Sequence, residues 1–333
     1  DSSTSRGLGD VYKRQPEQEK IMPVTTTRTL PAAILREVQK AVIGKDLVLT
    51  KVLLAFLAGG HVLMEDMPGV GKTTLAMAFS KALGLNCRRV QFTPDVLPSD
   101  LTGFSVYEKN TGTFVFQPGA LFCHLLLADE INRTSSKTQA ALLEAMEESN
   151  VTVEGKTYAL PRPHLVIATQ NPLGCVGTQS LPESQLDRFL MRLHMGYPEI
   201  QDEVAILKGH AARNPLEDVQ PVCTPEQLEA LQQQAAAVYV DDRLYYYAAS
   251  VSKATREHPQ AVLGVSPRGT LALIQSAKAM AMLRGRDYLL PDDIMPLCQD
   301  VLAHRILTKG GVAAEQVLDE VLHQVPAPMP DRR

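Results

Sequence analysis

Apolar residues recur at helical spacing from Ile34 to Ile43 and again from Leu47 to Leu57, and Gly44 and Lys45 break the two runs. His61-Val-Leu-Met64 reads as a short buried strand, and Lys72 to Leu83 as the helix that follows it. Four more apolar strands are expected at Arg89 to Phe92, His124 to Ala128, Leu165 to Ala168 and Arg192 to Met195, with helical patterns such as Ser136 to Glu147 between some of them. Short buried strands alternating with helices imply an α/β domain whose five-stranded parallel sheet is covered on both faces. Two segments alternate with the strand period around turn residues instead: Phe104-Ser-Val-Tyr107 and Thr113-Phe-Val-Phe116 flank Asn110-Thr-Gly112, and Val151 to Leu160 flanks Glu154-Gly155. Both read as hairpins.

Beyond Pro198 helical patterns dominate: Glu203 to Ala212, Pro225 to Val238, Arg243 to Arg256, Pro267 to Leu283 and Asp292 to Leu307. A boundary near Tyr197-Pro198 divides a core of residues 21–198 from a smaller all-helical lid of 199–325, with a Pro-rich end at 326–333. Residues 1–20 are set aside as a tail. Within it, Arg6 to Gln15 resembles an adaptor-derived read-through, and its polar composition predicts disorder in any case.

Composition narrows the class. At 333 residues the chain can bury two cores, and a formal net charge of −4 argues against a surface built for nucleic-acid phosphates, although a local basic groove is compatible with it. The five cysteines, Cys87, Cys123, Cys175, Cys223 and Cys298, show no metal-ligand spacing and are expected to be reduced. No apolar run is long enough to span a membrane and no secretory signal is visible, so a cytoplasmic protein is expected.

The chemistry concentrates after the first strand, in Met67-Pro-Gly-Val-Gly-Lys-Thr-Thr74. Binding a triphosphate needs several backbone N–H groups aimed at one point. Gly69 and Gly71 allow that curled path through Pro68 and Val70, and a helix N-terminus at Lys72, Thr73 and Thr74 adds its positive end. Lys72 supplies charge for the β- and γ-phosphates, and the Thr73 hydroxyl suits Mg2+. The strict pattern has glycine at position 66, where this chain has Asp66, a residue that tolerates turn conformations.

Leu125-Leu-Leu-Ala-Asp-Glu130 supplies the second half. Asp129 would emerge at the C-terminal end of a buried strand, where it can orient water on Mg2+, and Glu130 would be the base for the attacking water. Taken alone, such a strand end is commonly structural; after a P-loop it points to catalysis. Asn171, ending Ala168-Thr-Gln-Asn171, could align the same water, although a turn-forming Asn before Pro is the plainer reading. Arg188 and Arg268 are isolated arginines, but Ser266 and Pro267 look like an N-cap and first helical residue, which sets Arg268 at the start of a lid helix.

Together these segments resemble the MoxR family of AAA+ ATPases, in the group with an insertion in the second core helix. The resemblance runs in order from Leu30 to Thr308. It takes in Val42-Ile-Gly-Lys45, Met64 to Thr73, Gln91 to Gly103, Pro118-Gly-Ala-Leu121, Ala128-Asp-Glu-Ile-Asn-Arg133, Ala168 to Pro172, Leu186-Asp-Arg-Phe189 and Ser266-Pro-Arg268. It implies an ATPase that binds ATP with Mg2+ at the subunit interfaces of a homo-oligomeric ring, expected to be a hexamer. It also implies that Val42 and Ile43 lie along the adenine, that Asn171 and Arg268 sense nucleotide within their own subunit, and that Arg188 is an arginine finger for the neighbour. Arg133 is a second residue that could face the adjacent subunit. The Phe104–Phe116 hairpin would be the group's insertion and Val151–Leu160 a second, pore- or partner-facing element, with packing inside the ring as an alternative role for both. The function implied is chaperone-like remodelling of a client protein, in a family that often works with a von Willebrand factor A-domain partner. A nucleic-acid motor and a magnesium-chelatase-type motor subunit are the alternatives.

Overall fold

The computed structural model describes residues 24–67, 69–171, 181–210 and 214–328. In chain order the strands are β1 (Val62–Glu65), β2 (Cys87–Gln91), β3 (Gly103–Glu108), β4 (Thr113–Pro118), β5 (Leu125–Asp129), β6 (Asn150–Val153), β7 (Lys156–Ala159), β8 (Leu165–Gln170), β9 (Met191–Leu193), β10 (Ala261–Leu263) and β11 (Leu307–Thr308). Five of them form the central sheet in the order β2-β5-β8-β1-β9, every neighbouring pair parallel. β5 and β8 are buried along their whole length, as a parallel sheet covered by helices requires.

Successive side chains of a strand point to opposite faces, and here they feed two separate hydrophobic clusters. Leu125, Leu127, Leu165 and Ile167 face one cluster, which they share with the helices Asp46–Leu57 and Lys72–Ala82. Leu126, Ala128, Val166 and Ala168 face the other, beneath the helix Ser136–Glu148. The first cluster continues without a break into the lid, through Leu228, Leu273 and Ile274. The lid therefore shares its apolar interior with the helical face of the core.

Both hairpins form at the expected places. β3 and β4 pair from Gly103 with Pro118 to Glu108 with Thr113, and leave Phe104, Tyr107 and Phe114 exposed. Gly103 is obligatory here: at φ +92° an added Cβ would lie 2.3 Å from the Gln117 carbonyl oxygen. β6 and β7 turn through Glu154 and Gly155, both with positive φ, as a tight two-residue hairpin demands. Phe116 of one hairpin stacks on Tyr158 of the other with ring centroids 3.9 Å apart.

The lid departs from expectation in three ways. The expected helix Asp292 to Leu307 is broken into short turns, Pro291–Ile294, Met295–Leu297, Cys298–Leu302 and Ala303–Arg305. Pro296 lacks the N–H that a continuous helix would need there. The lid is also not wholly helical, because β10 and β11 pair antiparallel within it. Finally, Ala314–Gln324 is a helix that the sequence reading passed over, burying Val317, Leu318 and Val321 on one face. Among the described residues no helix is long and apolar enough to cross a membrane.

Candidate active site

The loop between β1 and the helix Lys72–Ala82 turns through Gly69 at φ +88° and Gly71 at φ +96°. Both conformations are left-handed and cheap only for glycine. A Cβ on Gly69 would meet nothing within 4 Å, so its backbone, not crowding, sets the residue type. The loop opens on a cavity of about 260 Å³ lined by Gly69, Gly71, Lys72, Thr73, Asp129, Glu130 and Asn171. Residues from the two halves of the motif and from the end of β8 thus converge on one pocket at the C-terminal edge of the sheet, where open α/β folds place their ligands.

Lys72 is buried, and its Nζ donates to the Asp66 carbonyl at 2.7 Å. Burial pulls its pKa down, while Asp66, Asp129 and Glu130 act in the opposite direction. Asp66 has a further role that the sequence reading did not assign. Its carboxylate accepts the backbone N–H groups of Met195 at 2.6 Å and Gly196 at 2.9 Å, which staples the P-loop to the chain leaving β9.

Asp129 ends β5 with both oxygens engaged. The Thr169 hydroxyl donates to Oδ1 at 2.6 Å, and Arg89 Nη2 donates to Oδ2 at 2.7 Å. Glu130 follows in the left-handed region, φ 57° and ψ 49°, which turns its side chain out of the strand. Its N–H donates to Thr169 Oγ1 at 2.9 Å. Its carboxylate accepts from Asn171 Nδ2 at 3.2 Å and pairs with Arg133 at 2.8 Å. Asn132 steadies Asn171 by donating to its carbonyl at 3.1 Å. The other amide atom, Asn171 Oδ1, is buried with no protein partner, an open acceptor beside Glu130.

Thr169, Arg89 and Asn132 lie in segments that the sequence marks, but the sequence assigns them no role in the site. Thr169 could be found once β5 and β8 are known to be neighbours, because Ala128 is opposite Ala168 and the next pair is Asp129 and Thr169. Nothing in the local sequence marks Arg89.

Other expected residues stand elsewhere. Val70 and Thr74 belong to the loop and its helix without lining the cavity. Pro68 lies outside the described residues. Val42 is buried in the first hydrophobic cluster and Ile43 is half-buried; neither lines the cavity. Nor do Arg188 and Arg268. The two arginines instead converge on one carboxylate: Glu147 accepts from Arg188 Nη1 at 3.2 Å and from Arg268 Nη2. Arg268 begins its helix as expected, behind the N-cap Ser266, and its side chain meets Arg188 at Glu147.

Comparison with known proteins agrees with this architecture. Residues 61–191 match the model of the ATPase family associated with various cellular activities (AAA), and residues 253–324 match the AAA lid domain. The uncharacterised protein YeaC of Bacillus subtilis is 45% identical over 300 residues, covering 89% of this chain and 94% of its own. Chaperone MoxR1 of Mycobacterium tuberculosis is 37% identical over 303 residues, covering 88% of this chain and 80% of its own. The crystal structure of a provisionally named ATPase from Cytophaga hutchinsonii superposes with a TM-score of 0.85 at 34% identity, over 92% of this chain and 97% of that one. With P-loop, acidic strand end and lid in that order along one chain, the protein belongs to the MoxR family of AAA+ ATPases.

Proposed function

We propose that the chain hydrolyses ATP in a pocket completed by a second copy of itself, and that it uses the cycle to remodel a client protein. The observation that carries the first half is the convergence of Lys72, Thr73, Asp129, Glu130 and Asn171 on one cavity. Lys72 would exchange the Asp66 carbonyl for the β- and γ-phosphates, whose charge restores what its burial costs. The N–H groups of the Gly69–Gly71 loop and the N-terminus of the following helix would cradle the same oxygens.

The Thr73 hydroxyl and the Asp129 carboxylate face one cavity as hard oxygen donors and fit Mg2+, which when bound would neutralise charge developing on the phosphates. Thr169 and Arg89 hold Asp129 in one orientation. Glu130 would take the proton of the attacking water, and the unpartnered Asn171 Oδ1 offers that water a second contact. Before it can act, Glu130 must be released from Arg133.

Among the described residues lining the cavity, Lys72 is the one cation. Hydrolysis needs cations over the γ-phosphate, and Arg188 and Arg268 stand together on Glu147, outside their own pocket. We assign both to the neighbour's pocket; for Arg268 this is an alternative to the expected action within its own subunit. Such an arrangement closes into a ring, and a hexamer is the size expected. A chaperone role follows the name carried by the relative MoxR1. Replacing Glu130 with Gln tests the catalytic assignment: phosphate release should fall by at least a hundredfold while ATP still binds, and turnover within a few-fold of the parent would show that another group activates the water.

A further inference from the structure

The turn that carries Arg188 is held from the lid by one buried guanidinium. Arg305 Nε donates to Asp187 Oδ1 at 2.7 Å, and Nη2 donates to the carbonyls of Asp187 at 3.1 Å and Phe189 at 2.6 Å. Nη1 reaches the Leu190 carbonyl at 3.4 Å and the Val301 carbonyl of its own segment. Arg305 is 4% exposed, and with its donors shared among these acceptors it has one orientation available.

The same side chain supports the second arginine. A Cβ added to Gly269 would lie 2.6 Å from Arg305 Cδ, so the helix that begins at Pro267 and carries Arg268 rests directly on the Arg305 stem. Ser266, the N-cap of that helix, donates to the Asp187 carboxylate, 2.9 and 3.1 Å from its two oxygens. Arg188 and Arg268 are therefore mounted on one joint, made of Arg305, Asp187 and Ser266, and their side chains meet above it at Glu147.

We propose that Arg305 is a positioning residue for the arginines offered to the neighbouring pocket: through the Asp187 turn and Gly269 it fixes where Arg188 and Arg268 point. The proposal rests on the reading of Arg188 as acting on the neighbour. Its consequence is directional. Damage to Arg305 leaves the subunit's own P-loop able to bind ATP and spoils hydrolysis in the adjacent subunit. A misplacement of about 1 Å in a catalytic group costs on the order of a hundredfold in rate, so Arg305→Lys, which keeps the charge and loses the planar fork, should lower kcat by tens to a hundredfold at unchanged KM for ATP.

Mixed rings separate this from general damage to the fold. Arg305→Lys subunits are combined with Lys72→Ala subunits, whose pocket is dead but whose arginines are intact, and separately with Arg188→Ala subunits. Co-assembly is verified by tag pull-down. Activity should rise with Lys72→Ala and stay at or below the level of Arg305→Lys alone with Arg188→Ala. Gly269→Ala, which presses a methyl group against Arg305 Cδ and Val265 Cγ1 while suiting the helix, should behave the same way and serves if Arg305→Lys fails to fold. The proposal is overturned if the folded variants hydrolyse ATP within twofold of the parent. It is equally overturned if Lys72→Ala rescues Arg188→Ala but not the Arg305 and Gly269 variants, because the lesion then lies in their own pocket. Full activity of Arg188→Ala alone would instead remove the reading on which the proposal rests.

Discussion

The Asp66 carboxylate accepts the Met195 N–H at 2.6 Å, so the residue standing where the P-loop pattern has glycine bonds the loop to the chain leaving the neighbouring edge strand β9. Asp66→Gly restores the strict motif and removes the staple. Hydrogen bonds to a charged acceptor contribute about 1.5–3 kcal/mol each, so the variant should lose at least about 2 kcal/mol despite its better match. Asp66→Asn keeps one acceptor and should lose less. Urea unfolding of the three proteins decides, and a Gly variant as stable as the parent would show the staple to be incidental.

Lys72→Ala should abolish ATP binding, since Lys72 is the one cation among the side chains described as lining the cavity. Titration with a fluorescent ATP analogue measures it. Unchanged affinity would move the phosphate site away from this loop.

Arg188→Ala and Arg268→Ala should each bind ATP and hydrolyse it slowly, with Arg188→Ala reduced on the order of a thousandfold. Each should regain activity when mixed with Lys72→Ala. The two arginine variants mixed with each other should stay inactive, since in either order one arginine is missing from every interface. Rescue of Arg188→Ala but not of Arg268→Ala by Lys72→Ala would return Arg268 to its own subunit's nucleotide.

His61 makes stability depend on pH. Its ring is buried between the Met146 carbonyl at 3.0 Å and the Val166 N–H at 3.1 Å, which a neutral imidazole satisfies on both sides. Burial pushes its pKa down to about 4, and the neighbouring His164 pushes the same way. The unfolded chain takes up this proton near pH 6.5 and the folded protein only near 4, so stability is full above about 6.5 and is lost as pH falls toward 4. Urea midpoints at pH 7.5 and 5.5 should show the loss, and His61→Gln should make it smaller. Buried His164 and His304, both lowered by burial, contribute in the same direction and keep it from vanishing.

The parts legible in the sequence are those where one physical demand acts on consecutive residues. Leu125 to Ala128 could be read as a central strand because a parallel strand covered on both faces must be apolar throughout, and Gly69 and Gly71 marked the loop because only glycine turns that way cheaply. Ser266 and Pro267 announced their helix by capping. What stayed hidden depends on partners distant in sequence. Thr169 matters because β8 lies beside β5, Asp66 because the chain after β9 passes next to it, and Glu147 because the lid folds back onto the core. The broken helix after Asp292 is legible in Pro296, although the apolar residues around it keep helical spacing. The segment Ala314–Gln324 carried the helical period openly and was passed over.

The left-handed turn at Glu130 sets the interests of folding and chemistry against each other. At φ 57° a residue with a Cβ costs roughly 1 kcal/mol relative to glycine. Selection for folding alone would therefore favour glycine or asparagine at this position, and β-branched residues would be shut out by their bulk. A library screened only for soluble, heat-resistant protein should drift away from glutamate here, whereas one screened for turnover should hold it fixed. On the reading of Glu130 as the base, the two screens should diverge there and not at Ser149 or Glu154, which share the left-handed conformation without lining the cavity.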